Sequence, residues 1–500
     1  MPAQVTVYLN EPIATINPNL YSHFMEHLGT CVDEGIWVGE DSPIPHLGGI
    51  RRDVIEALRK LNPPVLRWPG GCFADDYHWE DGVGPRASRP RRVNIWWGDG
   101  VEDNHFGTHE FIQLCRLIGA QPYLSGNLGS GSPRQMRDWV EYCNYDGDST
   151  IAARRAANGS PAPFGVQYWG VGNEAWGCGG NFGPEDYAVE YKKFATYLRD
   201  FSGTKLHLIA CGPDGNNADW TNRFFTKLGA FRQIHSYSAH YYTWNREGLM
   251  GTATAYSVDQ WYQLLHATLR MEPLIVEQRA LLDSFDPERK IGLIVDEWGA
   301  WHPPAQGHNP SAHLWQQNTL RDAVLAAINL DIFNRHADKV TMTNIAQTMN
   351  VLQAMILTDG ARMLTTPTYH VFDMYQAHAG GQSLRVDFDA EPISFAGSDG
   401  VTQQLFGLSG SASLRQAVLT LSVVNPHATQ AIEATVELRG GAYSGASVTV
   451  LTDTDIHAHN TFDAPAALQP RTTSLELSGN EWRHVFPPAS VTVLRARLAS

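Results

Sequence analysis

Short β-rich runs alternate with amphipathic helical stretches through the first three-quarters of the chain, and this alternation constrains the fold more than any other feature. The runs Pro64–Trp68, Gln121–Ser125, Val166–Val171, Lys205–Ala210, Ser236–His240, Ile291–Val295 and Lys339–Thr343 make eight strands together with a first one expected near Asn19–Ser22. Helical periods lie between them at Arg51–Leu61, His109–Ile118, Pro184–Asp200 and Ser311–Arg335. Strands separated by helices form βαβ units and a parallel sheet. Eight such units predict an α/β fold of the closed (β/α)8 TIM-barrel type rather than an open doubly wound sheet. No Gly-x-Gly-x-x-Gly opens a helix after the first strand, which weakens a dinucleotide-binding reading. Gly126–Gly131 has the wrong spacing for a phosphate loop and no following Lys, so it reads as a turn.

The pattern changes near Ala379-Gly380-Gly381. Beyond it only short alternating runs remain, at Ala417–Val424, Ala431–Leu438, Ser447–Leu451 and Ser490–Leu494. Separated by turn residues, these predict a C-terminal antiparallel β-sandwich of jelly-roll-like character. Gln4–Leu9 alternates in the same way and is expected to add a strand to that sandwich. The organisation expected is a barrel over residues 16–380 and an accessory β-domain built from residues 1–15 and 381–500.

A formal net charge of −15 argues against nucleic acid or an anionic membrane as partner, since phosphates would be repelled. No run approaches 18 consecutive apolar residues. The N-terminus has neither the basic segment nor the apolar stretch of a secretory signal. The six cysteines are scattered without any Cys-x-x-Cys pair, which excludes a disulfide scaffold and disfavours a zinc ribbon. A reduced, cytoplasmic protein is the resulting expectation, in which the sequon Asn158-Gly159-Ser160 carries no sugar.

In such a barrel, chemistry sits where strands end and loops begin. The fourth strand delivers Gly172-Asn173-Glu174-Ala175-Trp176-Gly177 and the seventh delivers Asp296-Glu297-Trp298-Gly299. A single strand-end Glu is as readily a loop cap. Two of them, three βα units apart and each beside a Trp, provide the carboxyl pair that glycoside hydrolysis requires. One must hold a proton for the leaving oxygen while the other stays ionised, and their mutual repulsion helps to separate the two pKa values.

The set Arg67-Trp68-Pro69-Gly70-Gly71-Cys72-Phe73-Ala74-Asp75, Trp169-Gly170-Val171-Gly172-Asn173-Glu174, His240-Tyr241-Tyr242-Thr243 and Val295-Asp296-Glu297-Trp298-Gly299 resembles the family 51 glycoside hydrolases, chiefly α-L-arabinofuranosidases. The resemblance runs over nearly the whole chain, including Gly82-Val83-Gly84-Pro85 and Asn344-Ile345-Ala346-Gln347. It implies a retaining exo-enzyme acting on arabino- and arabinoxylo-oligosaccharides, with Glu174 as acid/base and Glu297 as nucleophile. Asn173 is then the partner of the sugar 2-OH, and Glu26, Tyr242 and Gln347 grip arabinose hydroxyls. Cys72 lines the same subsite and Arg67 stands behind the nucleophile. His240 belongs to the same substrate-binding set, and Trp301 and Trp244 wall the exit. The resemblance implies no metal or organic cofactor, and a homo-oligomer, commonly a hexamer.

Other readings remain at this level. His23-Phe24-Met25-Glu26-His27 fits His-x-x-Glu-His, a zinc-protease pattern that needs both His on one face of a sustained helix. Gly29 and Pro18 make such a helix doubtful. His105 and His109 share helical spacing without an evident third ligand, and read as solvated imidazoles at a helix start. A non-catalytic carbohydrate-binding protein would keep the aromatic walls without needing the carboxyl pair. An endo-β-glucanase or xyloglucan-cleaving enzyme of the same family would differ in loop shape, which one sequence does not reveal.

Overall fold

The computed structural model describes residues 3–98, 100–304 and 313–499. Eight parallel strands close on themselves in chain order: β1 (Ser22–Phe24), β2 (Val65–Trp68), β3 (Gln121–Gly126), β4 (Tyr168–Val171), β5 (His207–Ala210), β6 (Ser236–Trp244), β7 (Gly292–Trp301) and β8 (Val340–Ala346). Most of their residues are buried, as expected for a sheet packed inside and out, with Gln121, Trp244 and Thr341 exposed at or near strand ends. Helices follow the strands. In Arg52–Leu61, for example, Val54, Ile55, Leu58 and Leu61 form the buried stripe, and Asn62 in the left-handed conformation ends it.

The expected first strand begins three residues late. Pro18–Tyr21 is a 3-10 turn instead, because Pro18 sits at its first turn and the Asn17 side chain accepts from the Asn19 N–H at 3.0 Å. The helix expected from Ser311 runs over Leu320–Arg335; position 311 lies outside the described residues.

Beyond the barrel a nine-stranded sheet encloses its own apolar core. The N-terminal strand Ala3–Thr15 lies within it, antiparallel to Gln382–Asp389 and parallel to Ile432–Arg439. That parallel pair departs from the all-antiparallel expectation, since the N-terminal strand enters from outside the local run of hairpins. The helix Leu320–Arg335 is buried along its whole length except at its final residue. It packs between barrel and sheet, where Asp331 accepts from the hydroxyls of Ser411 and Tyr375. Among the described residues, no helix is long and apolar enough to cross a membrane.

Candidate active site

At the C-terminal mouth of the barrel lies a cavity of about 470 Å³, walled by Glu26, Cys72, Glu174, His240, Tyr242, Trp244, Glu297, Trp301 and Gln347 among others. Nine of the eleven residues singled out from sequence therefore share one cavity. The other two, Arg67 and Asn173, are buried beneath it.

Arg67, on β2, donates from Nη1 to Glu297 Oε1 at 2.8 Å and from Nη2 to Asn173 Oδ1 at 2.6 Å. Its Nε also reaches Ser125 Oγ at 3.1 Å and lies 3.6 Å from Asp296 Oδ2. In a regular strand, Asp296 and Glu297 would face opposite sides. The β7–β8 register shifts between Val295 and Trp298, and this irregularity lets both carboxylates reach the same guanidinium. Asp296 is held from below by Tyr123 Oη and Asn344 Nδ2, both at 2.7 Å. Tyr242 Oη donates to Glu297 Oε2 at 2.8 Å.

Glu174 follows β4 in a left-handed backbone conformation (φ 40°), after Gly172 at φ 88°. Side chains rarely take such an angle, and its occurrence here turns Glu174 back toward the mouth. Asp75 secures this turn, accepting from Asn173 N at 2.8 Å and from Leu128 N and Gly129 N. His240 Nδ1 bonds to Glu174 Oε1 at 2.9 Å and lies 3.6 Å from Glu297 Oε2, so the imidazole bridges the two carboxyls. One oxygen of each carboxyl and a His240 nitrogen all lie within 4.8 Å of one another.

The two carboxyls are driven apart in pKa. Burial pushes Glu174 up, and the neighbouring Glu297 charge adds to this against the His240 hydrogen bond. Burial also acts on Glu297, but His240, Arg67 and the Tyr242 hydroxyl outweigh it and hold that carboxyl below the usual range. His240 is raised: burial opposes its charge, yet the two carboxylates prevail. The arrangement thus offers a proton on one side of a sugar-sized space and an anion on the other.

The floor is equally built. Glu26 Oε1 accepts from Phe73 N and Trp97 Nε1, and its Oε2 accepts from Gln347 Nε2 at 3.1 Å. Burial, with Glu297 nearby, pushes Glu26 up to about 7. Gln347 lines the cavity, and its Oε1 is buried with no partner among the described residues. A Cβ at Gly71 would stand 2.9 Å from Glu297 Oε1, and one at Gly70 would stand 2.6 Å from Glu26 Cγ. The Pro-Gly-Gly turn is therefore required for close backbone approach. Trp244 and Trp301 stack at 4.7 Å, with Tyr242 edge-on to Trp301.

Two expectations are corrected, and one rival reading falls. Cys72 is joined to Cys178 in a disulfide, so these cysteines are not reduced thiols; both sulfurs lie beside Glu174 Oε2, at 3.9 and 3.5 Å. No local motif could announce the bond, since 106 residues separate the partners and only barrel closure joins the β2 and β4 loops. The zinc-protease pattern fails because His23 lies on strand β1, buried and edge-on to Phe372, while Glu26 and His27 follow in a loop. His27 accepts from Trp68 Nε1 at Nε2 and faces Glu102 through Nδ1, so both ring nitrogens are engaged. Finally, His109 is not solvated; it is half-buried and bonded to Tyr142 Oη at 2.7 Å.

Trp97, Trp176, Asp214 and Cys178 also belong to the site and were not singled out from sequence. The signal available for Cys178 was its position one helical turn after Glu174. Trp97 comes from the Arg92–Val93/Val101–Glu102 hairpin, which has no strand pattern of its own length to betray it.

Family models of the α-L-arabinofuranosidase 1 domain and the α-L-arabinofuranosidase C-terminal domain match residues 57–262 and 296–490. An intracellular exo-α-L-arabinofuranosidase from Bacteroides ovatus is 41% identical over 471 residues, covering 94% of this chain and 90% of that protein. The chain belongs to the family 51 α-L-arabinofuranosidases. This arabinofuranosidase superposes on the crystal structure of the GH51 enzyme from Xanthomonas axonopodis pv. citri with a TM-score of 0.94 and 38% identity, covering 99% and 100% of the two chains. The Thermotoga maritima α-L-arabinofuranosidase, solved as an arabinose complex, gives a TM-score of 0.87 at 30% identity, with coverages of 99% and 100%.

Proposed function

We propose that this arabinofuranosidase is a retaining exo-enzyme that removes terminal non-reducing arabinofuranosyl units from arabino- and arabinoxylo-oligosaccharides by double displacement. The observation that carries the reading is the carboxyl pair, with oxygens within 4.8 Å and pKa values pushed in opposite directions. Retaining enzymes keep their carboxyls close, whereas inverting ones leave roughly 6.5–9.5 Å for a water.

In the first step Glu174 protonates the glycosidic oxygen as Glu297 attacks the anomeric carbon, and the leaving group departs as an alcohol. In the second, Glu174, now ionised, takes a proton from water, which displaces Glu297 and frees arabinose. Arg67 and Tyr242 hold the nucleophile ionised and oriented. Asn173, whose Oδ1 is occupied by Arg67, has only a long contact from Nδ2 to Cys178 Sγ at 4.0 Å and can turn that donor to the sugar 2-OH. Glu26 and Gln347, which both line the cavity floor, suit the remaining hydroxyls. Exo action is supported by the buried floor, where Glu26, His240, Tyr242, Glu297 and Gln347 are all buried while Asp214 and Trp244 are exposed, as in a pit entered from one end. We place the enzyme in the cytoplasm, a reading supported by the intracellular Bacteroides relative. Fractionation tests the location; the Cys72–Cys178 disulfide speaks for an oxidising compartment, since cytosolic reductants keep thiols reduced, so finding the pair oxidised in the cell counts against the cytoplasm.

The reaction is tested by NMR of the first sugar released from an aryl α-L-arabinofuranoside. The α-anomer is expected, and initial release of the β-anomer refutes double displacement. Activity should follow a bell in pH. It falls on the acid side as Glu297 gains a proton, below the ordinary carboxylate range, and on the alkaline side as Glu174 loses one, above that range. A plateau on either side over the whole range where the protein stays folded contradicts the assignment.

Tyr242→Phe removes a charge-assisted hydrogen bond from Glu297, a loss of about 1.5–3 kcal/mol, so kcat/KM should drop about tenfold or more. Because that bond lowers the Glu297 pKa, the acid limb should also move up. A limb that stays in place while activity falls would assign Tyr242 to sugar binding alone.

A further inference from the structure

A second cavity, of about 630 Å³, adjoins the first and shares Tyr241, Tyr242 and Trp244 with it. Its far side comes from the C-terminal part of the chain: the antiparallel hairpin Ile393–Ala396/Thr402–Leu405 contributes Ser398 and Gln403. This hairpin is firmly seated on the helix Val258–Thr268. Gln263 Nε2 donates to Ala396 O at 2.8 Å, Ala396 N donates to Asp259 Oδ1 at 3.3 Å, and the buried Phe395 ring packs on Tyr262 and His266.

We propose that this second cavity is a distal subsite for the leaving-group side of the substrate, holding the second and later sugars of an oligosaccharide. The proposal rests on the arabinofuranosidase reading above and extends it to a face of the molecule shared by barrel and C-terminal hairpin. Three observations converge. Asp214 and Trp244 are the exposed residues among the described walls of the catalytic cavity, and Trp244 lines the second cavity as well. Trp244 (49% exposed) and Leu249 (67% exposed) supply apolar surface there of the kind a sugar face covers. Finally, the side chains of Arg246, His266, Arg270 and Gln403 line the cavity, and none of them makes a hydrogen bond or ion pair to a described residue. Glu247 lines the same space and offsets part of the guanidinium charge, which suits a neutral, hydroxyl-rich ligand better than an anion.

The first sugar beyond the cleaved bond stays near Trp301 and Trp176, so the hairpin acts only on longer leaving groups. The double variant Arg270→Ala/Gln403→Ala removes two hydrogen-bonding groups outside the catalytic cavity. Its kcat/KM on 4-nitrophenyl α-L-arabinofuranoside and on arabinobiose should equal that of the unmodified enzyme. On arabinotriose and on arabinosylated xylotriose, KM should rise about tenfold, as expected for two lost hydrogen bonds. Calorimetric binding of arabinotriose to the Glu297→Ala enzyme, with and without the double change, should weaken by a similar factor, a readout that needs no turnover. Equal effects on short and long substrates, or none on the long ones, overturn the subsite. An enzyme inactive on the aryl arabinofuranoside before any substitution would instead refute the functional reading, while the calorimetric comparison would still decide the subsite.

Discussion

Replacing Glu297 by alanine is expected to abolish turnover on every substrate, with kcat falling by four orders of magnitude or more, about 5.4 kcal/mol of lost transition-state stabilisation. The size follows from what surrounds the residue. Arg67 and Tyr242 hydrogen-bond this carboxylate, His240 lies 3.6 Å away while bonded to Glu174, and together they hold it ionised in a buried site where an isolated charge would pick up a proton. Removing the anion leaves Arg67 paired with Asp296 alone and takes away the carboxylate that the proposed mechanism uses to take up the sugar. Activated aryl glycosides should not rescue this variant, because their good leaving group eases bond breaking without supplying a nucleophile. Measurable turnover of 4-nitrophenyl α-L-arabinofuranoside by a fully folded Glu297→Ala enzyme would remove the nucleophile from the proposal.

Glu174→Ala should behave differently, and the contrast is the sharper test. In the proposed first step it protonates the departing oxygen, a contribution that matters only where that oxygen is basic. With natural oligosaccharides the loss should be about 10²–10⁴-fold, the usual contribution of general acid catalysis. With 4-nitrophenyl or 2,4-dinitrophenyl leaving groups, glycosylation should hardly slow, and a glycosyl-enzyme should accumulate because no base remains to activate water. Pre-steady-state burst kinetics read this directly, and a small external anion such as azide should restore turnover and yield the glycosyl azide. Losses of equal size on good and poor leaving groups, without a burst, would contradict the acid/base role. The environment of Glu174 suits two states: burial favours the protonated form, while the His240 hydrogen bond supports the anion that the second step requires.

Much of this was legible in the chain. Alternating periods of two and 3.6 residues specify βαβ units, and eight of them leave few alternatives to a closed barrel. Strand-end carboxyls follow from the same pattern, because a run such as Leu293–Val295 must be buried and the polar residues after it must reach the mouth. The end of the barrel pattern near Gly380 was visible too, as was the alternation that sends Ala3–Thr15 into the C-terminal sheet.

The start of β1 was not, since Pro18 and the Asn17 cap override the local apolar run. Nor was the Cys72–Cys178 bond, the bridging role of His240, or the part played by Asp75 in holding the Asn173 turn. In each of these the partners lie far apart in sequence, and no periodicity carries the information.

The sequence by itself determined the architecture and the identity of the two carboxyl groups, because burial pattern and residue chemistry are local properties. The family resemblance assigns the proton to Glu174, and only the tertiary structure supplies a physical reason for that assignment. That depends on Arg67, Tyr242 and His240 reaching Glu297 and Glu174 across the barrel within hydrogen-bonding distance, and electrostatic energy in a buried site is set by distances that no linear order of residues encodes.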